Sequence, residues 1–100
     1  MTNGTDGGES RWIAEVVVVP KAGVNDPEGE AILGGLRSLG YAGVRRVRAG
    51  RFFTIELSAP DAAAARDLAT QMADQLLANP VIQSFLVQAV EPAARVGREV

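Results

Sequence analysis

The sequence predicts an α+β domain of order βαββαβ, a ferredoxin-like sandwich with two helices on one face of an antiparallel sheet. Three observations lead there. Residues 12–19 form an apolar strand-like run, residues 53–58 alternate strictly between apolar and polar, and apolar residues recur at helical spacing over 27–39 and again after Asp61. Two right-handed crossovers then place both helices together. A chain of 100 residues makes one domain and buries about two-thirds of its unfolded surface.

Residues 1–10 hold Gly4, Gly7 and Gly8 among small polar side chains. They carry too little apolar surface to offset chain entropy, so a disordered tail is expected ahead of a domain over 11–91. In the first strand Trp12, Ala14, Val16 and Val18 make one apolar face, and Ile13, Glu15, Val17 and Val19 a nearly apolar one. Such a strand is central or lies at an interface. Pro20 has no amide proton for a ladder and suits the strand's end. Gly23 permits a positive φ in the loop, Asp26 reads as an N-cap, and Pro27 fits the first helical position. The helix is expected over 27–39, with Gly40 as C-cap. Within it Gly34 and Gly35 each cost about 1 kcal/mol relative to alanine. Either another backbone approaches closely there, or the helix is tolerated as a weak one.

Residues 41–58 read as two strands about Gly50. With Val47 opposite Phe53 on the core face, the connection is Ala49-Gly50-Arg51, a three-residue turn with Gly50 near the left-handed region. A single long strand kinked at Gly50 is the competing geometry. Ser58 is placed to cap the second helix and Asp61 to sit in its first turn. Leu68, Met72 and Leu76 line one helix face, with Ala65, Ala69 and Ala73 beside them. The helix stops before Pro80, because Asn79 is biased out of the α region. A last strand follows over 84–90, with Phe85, Val87 and Ala89 on one face, and residues 92–100 are expected as a flexible tail. Trp12, the valine run, Phe52 and Leu86 do not all fit under the helices. Apolar surface should therefore remain exposed, with self-association as the consequence.

Composition narrows the chemistry. The chain has no cysteine and no histidine, which removes thiolate nucleophiles, disulfides, thiolate metal sites and the commonest general base and metal ligand. Asp26, Asp61, Asp67 and Asp74 read as caps or surface charges, so no catalytic constellation is expected. A net charge of −2 gives no reason to expect a nucleic-acid or membrane partner. No apolar run approaches the ~20 residues of a membrane span, and the first ten residues lack a basic-then-apolar export pattern, so a cytoplasmic location is expected.

Arg37, Arg45, Arg46, Arg48 and Arg51 are half of the ten basic residues. Their guanidinium groups suit carboxylates, phosphates and protein interfaces, while a charge-protected strand edge is the plain structural reading. Lys21 is read as a solvated lysine, since Asp26 and Glu28 already occupy the positive end of the adjacent helix.

Three segments resemble one family. Lys21-Ala22-Gly23-Val24-Asn25-Asp26-Pro27-Glu28-Gly29-Glu30-Ala31-Ile32 is similar to the opening motif of PurS, the small subunit of phosphoribosylformylglycinamidine synthase. Leu39-Gly40-Tyr41 with Gly43-Val44 and Val47-Arg48-Ala49-Gly50-Arg51 resembles its middle motif, and Leu77-Ala78-Asn79-Pro80-Val81-Ile82 its closing one. Asn25 stands where an aliphatic residue is common and Arg51 where lysine is common. The resemblance implies a PurS-like fold and a non-catalytic subunit in purine biosynthesis. It implies a homodimer or dimer of dimers that bridges a large synthetase subunit (PurL) and a glutaminase subunit (PurQ). It implies no cofactor on this chain, with ATP and magnesium held by the synthetase subunit. On this reading Lys21, Gly23, Asp26, Arg45, Arg48 and Arg51 are the candidate partner contacts, and Pro20, Pro27, Gly40, Gly50, Asn79 and Pro80 the structural motif. A ligand-sensing ferredoxin-like dimerisation domain is the alternative from another class; a nucleic-acid module using the arginines is a further one.

Overall fold

Small side chains at alternate positions of the first strand make a face flat enough for a helix to lie on closely. The computed structural model describes residues 10–96. The expected tail before Ser10 and the last four residues lie outside the described residues. Strand β1 spans Ser10–Pro20, helix α1 Pro27–Ser38, strand β2 Arg51–Ala59, helix α2 Ala62–Met72, strand β3 Gln83–Pro92 and a short helix α3 Ala93–Val96. The antiparallel sheet has the order β2-β1-β3. Val16 lies opposite Phe53 on one side and Val87 on the other, and a bulge interrupts the β3 pairing between Glu15 and Val16. Pro20 ends β1, where its missing N–H costs no ladder bond.

The α+β class and the ferredoxin-like order of the central strands hold, with two corrections. Residues 41–50 form no strand, so the expected hairpin about Gly50 is absent and the sheet has three strands rather than four. Gly50 is not left-handed either; positive φ falls at Gly23 (84°) and Gly40 (102°). The reason lies in packing. A Cβ at Gly50 would collide with the Val18 carbonyl oxygen, so the chain passes straight over the end of β1 instead of turning back. The second correction concerns α1, which makes no substantial contact with any strand or with α2. Of the two principal helices only α2 packs on the sheet, with the short α3 against β1 and β3.

That cover differs in detail from the expected leucine stripe. Ala65, Ala69 and Ala73 are fully buried, as are Ala14, Val16 and Val18 beneath them, while Leu76 is 83% exposed. The difference begins upstream, where Ala65 and Ala69 are buried and Leu68 is exposed, and a π-turn over Ala73–Leu77 shifts the face again at the helix end. The Ala78 amide bonds to the Ala73 carbonyl at 2.9 Å, and the additional residue rotates Leu77 onto the core in place of Leu76. Asp61, not Ser58, caps α2, accepting from the Ala64 amide at 2.8 Å, because Ser58 is committed to β2 opposite Arg11. Where a tail was expected from residue 92, β3 continues through Pro92 and α3 follows.

The ends of α1 follow their sequence signals. Asp26 is the N-cap and Pro27 opens the helix. At the other end the Gly40 amide bonds to Arg37 O and the Tyr41 amide to Leu36 O, both near 3 Å, the two bonds of a Schellman turn. Asp26 also reaches further: one carboxylate oxygen accepts from the Gly29 amide (3.1 Å) and the other from the Ala49 amide (3.0 Å). A single side chain thus ties the loop, the helix and the residues before β2 together.

Replacing Asp26 with alanine removes both bonds and should lower stability by about 1–3 kcal/mol in urea unfolding. Gly50→Ala should be destabilising by a similar amount, since its Cβ meets backbone. Gly34→Ala and Gly35→Ala meet nothing within 4 Å and should each stabilise the isolated chain by up to about 1 kcal/mol. Val16→Ala, which leaves a void under α2, should cost about 2–3 kcal/mol.

Candidate functional site

The opening motif, residues 47–51 of the middle motif and the closing motif, far apart along the chain, meet at one end of the sheet. The loop after Pro20 comes first. Its Lys21 amide bonds to the Ile82 carbonyl at 2.9 Å, and the Lys21 ammonium donates to the Pro80 carbonyl at 2.6 Å. This fastens the opening motif to the closing one. The closing motif is itself a tight turn: the Asn79 side chain accepts from the Val81 amide at 3.0 Å, and its carbonyl accepts from the Ile82 and Gln83 amides. The middle motif closes the ring through Asp26 and Ala49, and through Arg48, whose guanidinium donates to the Pro20 carbonyl.

Between loop and middle motif lies an open cleft of about 480 Å³, lined by residues 20–26, Glu30 and residues 46–48. A smaller hollow of about 250 Å³ sits beyond Lys21, against Asp74, Pro80 and Phe85. Of the candidate contacts, Lys21, Gly23, Asp26 and Arg48 line the larger cleft. Arg45 and Arg51 do not. Arg45 is exposed outside the cleft, and Arg51 begins β2 opposite Val18. Arg46, which the arginine count includes but the candidate contacts do not, does line it. Gly23, at φ 84°, makes the turn that lets the Val24 amide reach back to Lys21 O. Among the structural residues, Pro20, Pro27, Gly50, Asn79 and Pro80 shape this end of the molecule, whereas Gly40 ends α1 at its other terminus. Arg37 is a clamp: its guanidinium donates twice to the Val44 carbonyl, at 3.2 and 3.0 Å, and holds the returning chain to α1.

Apolar residues missed by the search for charged contacts are also exposed near these motifs. Leu39 (75%) and Val81 (78%) project to solvent beside Tyr41 and Ile82. Helical spacing places Leu39 on the apolar face of the first helix with Ile32, Leu33 and Leu36, yet nothing covers it.

Chemically the site offers cations, two carboxylates and backbone groups. No cysteine or histidine occurs in the chain, and among the described residues no group of acidic side chains is arranged to hold a metal ion. The cations and backbone groups of such a surface suit the binding of carboxylates and of another protein's backbone.

Comparison with known proteins agrees in extent and in fold. Residues 13–91 match the family model PurS, described as phosphoribosylformylglycinamidine (FGAM) synthase. The chain is similar to the phosphoribosylformylglycinamidine synthase subunit PurS of Synechocystis, with 44% identity over 70 residues, 70% of each chain. It also superposes on Thermus thermophilus PurS with a TM-score of 0.74 and 34% identity, covering 81% of this chain and 95% of that one. A chain in the structure of PurLQS from Thermotoga maritima matches with a TM-score of 0.68 and 26% identity, over 82% and 96% of the two chains. The match spans β1 to β3 and includes every motif that meets at the end of the sheet, and the chain belongs to the PurS family of phosphoribosylformylglycinamidine synthase subunits.

Proposed function

We propose that this chain is the non-catalytic bridging subunit of phosphoribosylformylglycinamidine synthase in de novo purine biosynthesis. It joins the ATP-dependent synthetase subunit, PurL, to the glutaminase subunit, PurQ, and supports passage of ammonia between them. In this reading ATP and magnesium belong to the synthetase subunit and this chain binds neither. The observation that carries it is the convergence of the opening motif, the second half of the middle motif and the closing motif on one exposed surface. A similar chain in the PurLQS assembly supports the partners. No described helix is long and apolar enough to cross a membrane, which accords with a cytoplasmic place for the complex.

Lys21 and Arg48 are the proposed partner-facing cations of the cleft, with Gly23 and Asp26 shaping the loop that presents them; Arg45 and Arg51 extend the basic surface beyond its rim. Lys21 and Arg48 each spend one donor on a backbone carbonyl and keep others for a partner carboxylate. The ligand-sensor alternative has no specific observation in its favour.

Adding the chain to its cognate synthetase and glutaminase subunits should restore glutamine-dependent turnover, with no turnover from the chain alone. Ammonia-dependent turnover is the control. Equal glutamine-dependent rates with and without the chain refute the bridging role. Lys21→Glu with Arg48→Glu should weaken capture of the two subunits about tenfold, about 1.4 kcal/mol. The glutamine pair at the same positions should lose less. Unchanged capture by the charge-reversed chain would remove the cleft from the interface.

A further inference from the structure

The larger cleft holds charges of both signs, and they are unequally spent. Lys21, Arg46 and Arg48 line it together with Asp26 and Glu30. Asp26 is consumed within the chain, since both of its carboxylate oxygens accept from backbone amides. Lys21 and Arg48 each give a donor to a carbonyl. Arg46 and Glu30 are different. Both are exposed, and among the described residues neither forms an ion pair, with the other or with any neighbour; the pair that does form joins Arg11 to Glu56.

The spacing of the cations follows from the segment that carries them. Val47 and Ala49 are half-buried while Arg46 and Arg48 are exposed, an alternation that sets the two arginines on one side, about 6.5 Å apart along the chain. Glu30, in the first turn of α1, adds its carboxylate to the same cleft. A phosphate group or a nucleic-acid strand could use the cations, but it would bring its charge against Glu30, and a net charge of −2 gives it no attracting field. A protein segment that carries both signs answers every unspent charge.

We infer that the cleft receives a mixed-charge segment of a partner subunit. One carboxylate of that segment pairs with Arg46, a second, about 6.5 Å away, with Arg48 and Lys21, and a neighbouring lysine or arginine pairs with Glu30. The inference rests on the bridging reading and extends its contacts to Arg46 and Glu30. Arg46 is the principal grip, because a free guanidinium holds a carboxylate by two parallel bonds. Glu30 sets direction: a segment entering reversed would press its carboxylates against it.

Capture of the cognate synthetase and glutaminase subunits by the immobilised full-length chain provides the test. Arg46→Glu and Glu30→Lys should each weaken capture about tenfold, and the neutral Arg46→Gln and Glu30→Gln should lose less. All four side-chain positions are exposed, and circular dichroism checks that the fold is kept. A wholly acidic occupant would bind Glu30→Lys more tightly, so stronger or unchanged capture by that variant overturns the mixed-charge segment. Unchanged capture by Arg46→Glu does the same. In either case capture by the wild-type chain leaves the bridging reading standing; if the wild type captures neither subunit, both fall. Lys21 is the only lysine of the chain, which allows a check without substitution. Zero-length carbodiimide coupling of the assembled complex should join Lys21 to an aspartate or glutamate of a partner subunit, read by mass spectrometry of the linked peptides. Absence of a Lys21 link in the coupled complex likewise overturns the inference.

Discussion

The carboxylate of Asp26 holds the architecture of the functional end in place. One oxygen binds the first turn of α1 and the other binds the backbone just before β2. Without the second bond the cap would still start a helix, but nothing would fix that helix relative to the strand it precedes. Gly29 is buried against this junction, and a Cβ there would strike both the Asp26 carboxylate and the Val47 carbonyl. The sequence Asp26-Pro27-Glu28-Gly29 is thus a unit: cap, first helical residue, a charge suited to the positive helix end, and a gap through which the neighbouring chain passes.

The same logic of close approach governs the sheet. Alanine at positions 69 and 73 packs with alanine and valine at 14, 16 and 18, all fully buried. A helix carrying leucine on that line would be held further off and would leave the strand valines loosely covered. The π-turn then resolves the conflict at the helix end. It lets Leu77 reach the core and delivers Asn79 and Pro80 to the position where Lys21 binds them.

The three observed strands, both principal helices, their ends at Asp26 and Gly40, and the end of β1 at Pro20 were legible, because each depends on residues within one turn or one strand, whereas the further strand expected before Gly50 does not form. Three features were not. Leu68, Met72 and Leu76 keep perfect α spacing beside the alanine stripe, so periodicity does not say which of the two is buried, and the phase shift at Ala73–Leu77 changes the face once more. The path at Gly50 depends on the Val18 carbonyl, more than thirty residues away in sequence and invisible to any local pattern. The site was legible as a loop and a basic segment, yet its assembly rests on backbone bonds from Lys21 to Ile82 and from Asp26 to Ala49 that no spacing rule encodes. Arg46 illustrates the limit: whether it or Arg45 joins the cleft is decided by how the segment lies across α1, not by charge.

Most groups that a motif search marks as functional here are engaged with backbone. Lys21, Arg37 and Arg48 each donate to a carbonyl, and Asp26 and Asn79 each accept from amides. A catalytic constellation would leave such groups aimed at a substrate; in this chain they set the direction of a loop, a turn and the segment before β2.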